Sequence, residues 1–293
     1  MQENIWVTVI CSCFNHEKYV VKSLKSVLNQ SYKKIQLIVI DDFSDDNSVA
    51  IIEDFIKNFS EIIFIKNKSN LGLNKSVNNA MTLAQGDFFI DLAADDILLP
   101  NCIDIQLNTF KNSTYENLAI VYGNAELISE NGNHENYYFQ VNSNLKVTNK
   151  KKSGDIYDEI ISLTTTMCSV SSMCKKSVFD TLQGYDENLS YEDFDYWIRV
   201  SREYNIEFID EILIQKRTVP NSLQTTLYIS KNKNSHSTFL ILKKAYQLNK
   251  TKEEHFILRK RVNFEIINAY RTKNYILMLL NAWLRLKIVL KSF

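Results

Sequence analysis

Over the first hundred residues, short and nearly continuous apolar runs alternate with longer stretches whose apolar residues recur every three or four positions. Residues 5–13 read as a strand. Residues 17–30 set Val20, Val21, Leu24, Val27 and Leu28 on one helical face, residues 35–40 form a second buried strand, and residues 49–59 are helical again. Residues 62–65, 74–84 and 88–92 repeat the strand, helix, strand plan, which predicts a mostly parallel twisted sheet wound by helices. Pro100 opens a further helix, and residues 119–122 give another strand. Glu130-Asn131-Gly132-Asn133 reads as a hairpin turn before the aromatic run 137–141. Residues 150–154 mark a loop, and 167–173 read as a strand near a site. Residues 231–293 contain neither glycine nor proline and read as two or three helices. The division expected is a catalytic domain over 1–220 and a helical C-terminal extension over 221–293.

Composition narrows this picture. With 293 residues, 45% of them hydrophobic, the chain can bury a sizeable core. Lysine plus arginine number 34 and aspartate plus glutamate number 34, so no global field draws in nucleic acid, and an anionic ligand must be met locally. Five cysteines without paired C-x-x-C spacing and four scattered histidines speak against structural zinc and a disulfide scaffold. The N-terminus lacks the plan of a signal peptide and no apolar run reaches the roughly 18 residues of a span. The expected setting is therefore the cytoplasm, free or at the inner face of a membrane.

Six glycines build neither G-x-G-x-x-G nor G-x-x-x-x-G-K-[ST], and no G-x-S-x-G appears. What remains is a recurrence: Asp41-Asp42 and Asp95-Asp96 each follow an apolar strand-like run. Ligands of open α/β sheets bind outside the carboxyl ends of strands, so these pairs are placed to hold hydroxyls, a base or a metal carrying phosphates.

In order along the chain stand residues 7–10 (VTVI), Phe14-Asn15, 26–32 (SVLNQSY), 37–48 (LIVIDDFSDDNS) and Asn70-Leu71-Gly72. They are followed by Asn78, Gly86-Asp87, 90–96 (IDLAADD), Gly184-Tyr185-Asp186 and 192–199 (EDFDYWIR). Together these resemble the inverting family-two glycosyltransferases of GT-A fold, over roughly residues 5–217. The resemblance implies displacement at the anomeric carbon of a nucleotide sugar, a uridine diphosphate sugar by expectation, by an acceptor hydroxyl of a growing polysaccharide or glycoconjugate. It also implies a divalent cation, Mn2+ or Mg2+. A non-catalytic GT-A-like binding module is the rival reading. A sugar nucleotidyltransferase is a further one, disfavoured because no glycine-rich, arginine-containing loop lies between Ile10 and Lys18.

By that resemblance Ser12, Asn15 and Asp42 hold the base and ribose, Asp95 the ribose or metal, and Asp96 the metal. Gly72 and Lys75 lie near the diphosphate, and Asp193 is the general base, with Trp197 four residues on. The chain departs from the fuller Asp-x-Asp form at Ala94, and Val77 stands where an arginine is usual before Asn78. Each residue also has a local reading. Asp42, Ser44 and Asp45 suit a turn and helix cap, Asp95-Asp96 a loop before a helix, and Lys75 an exposed helix face. Ser190 to Asp193 fits a capping box. In the tail, 275–293 sets Ile276, Leu277, Leu279, Leu280, Trp283, Leu284 and Leu286 against Arg285, Lys287 and Lys291. Two readings stay open there: a helix on an anionic membrane, which would suit a lipid-linked acceptor, or a core or homodimer helix.

Overall fold

In the computed structural model, residues 4–162, 167–219 and 233–291 are described. They fall into two compact units. The first comprises Met1–Gly154, Cys168–Tyr185 and Tyr204–Val219; the second comprises Asp155–Met167, Asp186–Glu203 and Pro220–Phe293. The boundary expected near residue 220 lies outside the described residues. The second unit also takes in two segments that precede that boundary.

The first unit is built on one sheet. Its strands are β1 (Val7–Cys13), β2 (Ile35–Asp41), β3 (Ile63–Lys66), β4 (Phe88–Ala93), β5 (Ile97–Leu98), β6 (Leu118–Ile128), β7 (His134–Tyr137), β8 (Met173–Lys175) and β9 (Asn205–Arg217), in the order β3-β2-β1-β4-β8-β6-β9-β5 with β7 on β6. The parallel expectation holds for β3-β2-β1-β4. The rest is mixed: β8 runs antiparallel to β4 and β6, and β5 antiparallel to β9, while β6 and β9 are parallel. The predicted hairpin joins β6 and β7, with Gly132 at φ 87° in its turn. Residues 167–173 contain a 3-10 turn at Ser169–Ser171 before the short β8.

Helices α1 (Val20–Leu28), α2 (Ser48–Ile56), α3 (Leu73–Met81), α4 (Cys102–Asn112) and α6 (Lys176–Thr181) belong to this unit. The continuous apolar runs of β1, β2 and β4 are accounted for by burial: Val9, Ile10, Ile38, Val39, Ile90 and Leu92 are inaccessible to solvent or nearly so. Two fragments of the family resemblance have structural duties here. A Cβ at Gly86 would stand 2.5 Å from the backbone nitrogen of Thr8, so only glycine lets the chain pass beside β1. Asn78 on α3 donates through Nδ2 to the Tyr185 carbonyl at 2.9 Å and accepts the Tyr185 N–H at Oδ1 at 2.9 Å, pinning the Gly184-Tyr185 turn to that helix.

The second unit contains α5 (Tyr157–Ile161), α7 (Asp193–Ser201) and three helices of the tail, α8 (Lys233–Leu248), α9 (Lys252–Arg271) and α10 (Tyr275–Lys291). α9 starts on a full capping box, Thr251 with Glu254. The early segments are tied to the tail by buried polar contacts. The Tyr157 hydroxyl donates to Asn249 Oδ1 at 2.7 Å, and Arg202 pairs with Glu254 at 2.8 Å.

Candidate functional site

Parallel registry brings the predicted residues of the first unit to one edge. Ser12 on β1 lies between Ile40 of β2 and Ala93 of β4, so the ends of three neighbouring strands meet where Asn15, Asp42 and Asp95-Asp96 leave the sheet. Adjacent strands are about 4.8 Å apart, which puts side chains from all three ends within reach of one small ligand.

The first aspartate pair divides its work. Asp41 builds the turn, accepting the Ser44 N–H at 2.9 Å and the Ser44 hydroxyl at 2.6 Å. Asn15, in the left-handed region at φ 58°, closes the same loop: its N–H donates to Ser44 Oγ and its Oδ1 accepts the Asp45 N–H, both at 2.9 Å. Asp42 is thereby released from the turn reading and reaches the other way. Its Oδ1 accepts from Asn67 Nδ2 (2.8 Å), the Leu71 N–H (2.8 Å) and the Ser76 hydroxyl (3.0 Å), and its Oδ2 from the Gly72 N–H (2.9 Å). An ionised carboxylate offers about two acceptor positions per oxygen. Oδ1 is saturated, whereas Oδ2 retains capacity for one further donor. Gly72, at φ 83°, is the N-cap of α3, and Lys75 is exposed in the first turn of that helix. The start of α3 thus has backbone N–H groups and a lysine at the same end, a favourable setting for an anion.

The second pair is held from β9. The Arg217 N–H donates to Asp96 Oδ1 at 2.8 Å, and its guanidinium donates to the carbonyls of Asp95 (3.0 Å), Ser129 (2.8 Å) and Glu130 (2.9 Å) while lying over the Tyr19 ring at 4.6 Å. Arg217 is 4% exposed. A buried cation bonded to carbonyls fixes the loop of the acids without neutralising their side chains. Asp96 Oδ2 is buried with no hydrogen-bond partner among the described residues, and the same holds for Ser12 Oγ and His16 Nδ1. Burial, opposed in part by Lys216, pushes the Asp96 carboxyl up to about 7. His16 Nδ1 stands 3.9 Å from Asp95 Oδ1. Three of the ten such atoms among the described residues thus stand at this one end of the sheet, open to a ligand or to water.

Sequence reasoning missed His16 and Arg217. His16 lies directly after the Phe14-Asn15 motif and could have been flagged by that position. Arg217 carries no local signal, because it reaches the site through pairing of β9 with β6, ninety residues away in the chain.

Asp193 belongs to the second unit, at the first residue of α7. The capping box that Ser190 to Asp193 would also fit does not form, and α7 has Glu192 as its N-cap without a side-chain cap. The Ser190 N–H donates instead to Ser237 Oγ at 2.9 Å, while Asp193 Oδ1 accepts the Phe194 N–H at 2.6 Å. Farther along α7, the buried Asp195 takes Arg199 at 2.8 Å and Lys244 of α8 at 2.6 Å, and Lys244 also binds Asp186 at 2.5 Å. This charged cluster anchors α7 to α8, so the helix that carries Asp193 and Trp197 has a fixed footing.

Residues 8–182 match the model of the family described as Glycosyl transferase family 2. The chain is 29% identical over 218 residues to an uncharacterized glycosyltransferase of Methanocaldococcus jannaschii, covering 73% of this chain and 71% of that one. It is also 29% identical over 210 residues to the putative glycosyltransferase EpsE of Bacillus subtilis, covering 69% and 70%. Among solved structures it resembles S. aureus TarS 1-349 in complex with UDP-GlcNAc, with a TM-score of 0.68 at 17% identity, over 91% of this chain and 75% of that one. The mannosyltransferase PcManGT of Pyrobaculum calidifontis, in complex with GDP-Man and Mn2+, superposes with a TM-score of 0.62 at 13% identity, over 94% and 72%. The mixed sheet with flanking helices is thus the GT-A architecture.

Proposed function

Because the chain belongs to glycosyl transferase family 2, we propose that it moves a sugar from a nucleoside diphosphate donor, a uridine diphosphate sugar, to an acceptor hydroxyl of a growing saccharide or glycoconjugate, with inversion at the anomeric carbon. The observation that carries this reading is the cluster of orphaned buried atoms, Ser12 Oγ, His16 Nδ1 and Asp96 Oδ2, at the shared edge of β1, β2 and β4. The neighbours solved with UDP-GlcNAc and with GDP-Man support a nucleotide sugar as the missing ligand.

In this reading Ser12, Asn15 and the open Oδ2 of Asp42 receive the base and ribose, and Asp95 receives the ribose. The α3 N-terminus, with Gly72 and Lys75, faces the diphosphate. Among the described residues no three His, Cys, Asp or Glu side chains converge as a cation cage. A hard cation needs no such cage when phosphate oxygens and water complete its shell, and the orphaned oxygen of Asp96 suits that arrangement. Asp96, with Asp95 beside it, would hold Mn2+ or Mg2+, which when bound supplies positive charge to the departing diphosphate. A hydroxyl is a poor nucleophile at neutral pH, so a positioned base must take its proton; that role we assign to Asp193. The five cysteines are free and buried, which accords with a reducing cytoplasm.

Thermal denaturation with a panel of nucleotide sugars, with and without manganese, tests the reading. At about a hundred times its Kd, the true donor adds about 2.7 kcal/mol of stability, a shift of roughly 4–5 °C for a chain of this size, and it does so only with the cation present. If no nucleotide sugar raises Tm under either condition, the donor assignment fails.

Arg217 provides a second test. Lysine keeps the charge but not the planar fork that reaches three carbonyls. Arg217→Lys is expected to fold, to weaken donor binding in the presence of manganese by about tenfold, and to affect manganese-independent binding of free uridine far less. Calorimetric titration of both ligands reads the difference, and equal losses would reduce Arg217 to a stabiliser of the sheet.

A further inference from the structure

Helix α10 is apolar on two opposite sides. Leu277, Asn281, Leu284 and Ile288 are buried, Asn281 turning its Nδ2 to the Leu277 carbonyl at 3.0 Å, and this side packs within the second unit. Ile276, Leu279, Trp283, Leu286 and Leu290 are 48–76% exposed. Their spacing of three, four, three and four residues confines them, at about 100° per residue, to an arc of roughly 80°. That arc is centred roughly 150° away from the buried one.

An apolar stripe of this kind would fit a partner helix or a bilayer, and the charges choose between them. From residue 271 to 291 the chain carries Arg271, Lys273, Arg285, Lys287 and Lys291 and no acidic residue, although the whole chain is neutral. All five cations are exposed. A second copy laid along the stripe would bring like charges together, since no aspartate or glutamate of α10 is present to pair with them. At about 100° per residue Lys287 stands roughly 60° from the centre of the stripe, whereas Arg285 is roughly 140° away and Lys291 lies over the Tyr246 ring. An anionic lipid surface therefore brings opposite charge to Lys287 and to Arg271 and Lys273 before the helix. Lys287 Nζ lies 3.7 Å from the centroid of the Trp283 ring, which sets an amphipathic ring and a lysine side by side, and Tyr275 is exposed at the start of the helix. Aromatic rings with basic neighbours favour the boundary between headgroups and acyl chains. Among the described residues no helix is long and apolar enough to cross a membrane.

We infer that α10 is an interfacial helix that seats this protein on an anionic lipid surface through Ile276, Leu279, Trp283, Leu286 and Leu290, with Arg271, Lys273 and Lys287 meeting the headgroups. The inference does not depend on the donor or on the transfer reaction. Its consequence for the proposed function is that an acceptor carried on a lipid would be met at the surface where it resides.

Co-sedimentation of the full chain with phosphatidylcholine vesicles, with and without phosphatidylglycerol, is the test. Binding is expected to be at least about tenfold tighter to the anionic vesicles and to weaken as salt is raised. Leu279→Glu with Leu286→Glu should abolish it, and Lys273→Glu with Lys287→Glu should remove the preference for anionic lipid. Both changes are at exposed positions, and circular dichroism verifies the fold. Absence of binding, or equal binding to neutral vesicles, overturns the inference. So does a concentration-dependent dimer, seen by analytical ultracentrifugation, that the Leu279→Glu, Leu286→Glu variant dissolves, because the stripe would then belong to a second copy.

Discussion

Asp193→Asn is expected to bind the nucleotide sugar as the parent does and to transfer the sugar about 10²–10⁴-fold more slowly. The substitution is close to isosteric. The amide oxygen can still accept the Phe194 N–H that Asp193 Oδ1 accepts at 2.6 Å, and the charged cluster of Asp186, Asp195, Arg199 and Lys244 that anchors α7 is untouched. What is lost is the negative oxygen able to remove a proton. Donor affinity by calorimetry and product formation from the identified donor are to be measured on the same preparation. Transfer at the parental rate would remove Asp193 as the base. A parent that binds the donor and never transfers it would turn the reading towards a binding module.

Asp96→Asn is expected to act in opposite directions on stability and on cation-dependent binding. Burial pushes the folded-state carboxyl up to about 7 from an ordinary value of 3.8. A group raised on folding favours the native state below its unfolded value, and that contribution is lost as pH rises through the folded one. Without cation or nucleotide, Asp96 therefore costs the parent stability increasingly from about pH 4 to about pH 7, where the unfolded chain ionises and the native carboxyl does not, and evenly above it, where the buried carboxylate is ionised. Asparagine keeps an oxygen for the Arg217 N–H and carries no charge. The variant should melt roughly 7 °C above the parent at pH 8 and show little difference near pH 4. The same change should eliminate the manganese-dependent part of donor stabilisation, because a neutral amide is a poor ligand for a hard cation. A variant that keeps the full manganese effect would place the cation elsewhere. One that melts below the parent at pH 8 would mean that Asp96 is paired in the native protein.

Much of the first unit was legible because its signals are local. Continuous apolar runs identified β1, β2 and β4, and 3.6-residue periodicity identified α1, α2 and α3 to within a few residues, since each element is buried on a face that its own sequence exposes to view. The aspartate pairs could be located at strand ends for the same reason. Their separate duties could not. Asp41 and Asp42 are chemically identical neighbours, and only the loops they meet distinguish them: Asp41 closes the turn at 44–45, while Asp42 accepts from residues 67–76 and keeps capacity on one oxygen. The antiparallel strands were less legible: β8 has three residues and β5 two, too few to show a period. Ser190 to Asp193 has the spacing of a capping box, yet Ser237, distant in sequence, takes the Ser190 N–H first.

The α/β plan of the first unit, the helical tail and the chemistry available at the strand ends are written into short segments of the chain, because hydrophobic period and residue type are local properties. The tertiary structure alone decided which oxygens are spent and which remain free. Arg217 holds the Asp95-Asp96 loop through three carbonyls, one oxygen of Asp42 is saturated while the other retains capacity, and one side of α10 is buried while the opposite side is left to solvent. Those outcomes depend on partners tens of residues away along the chain. Hydrogen bonding and burial are settled only when strands and helices remote in sequence are brought together.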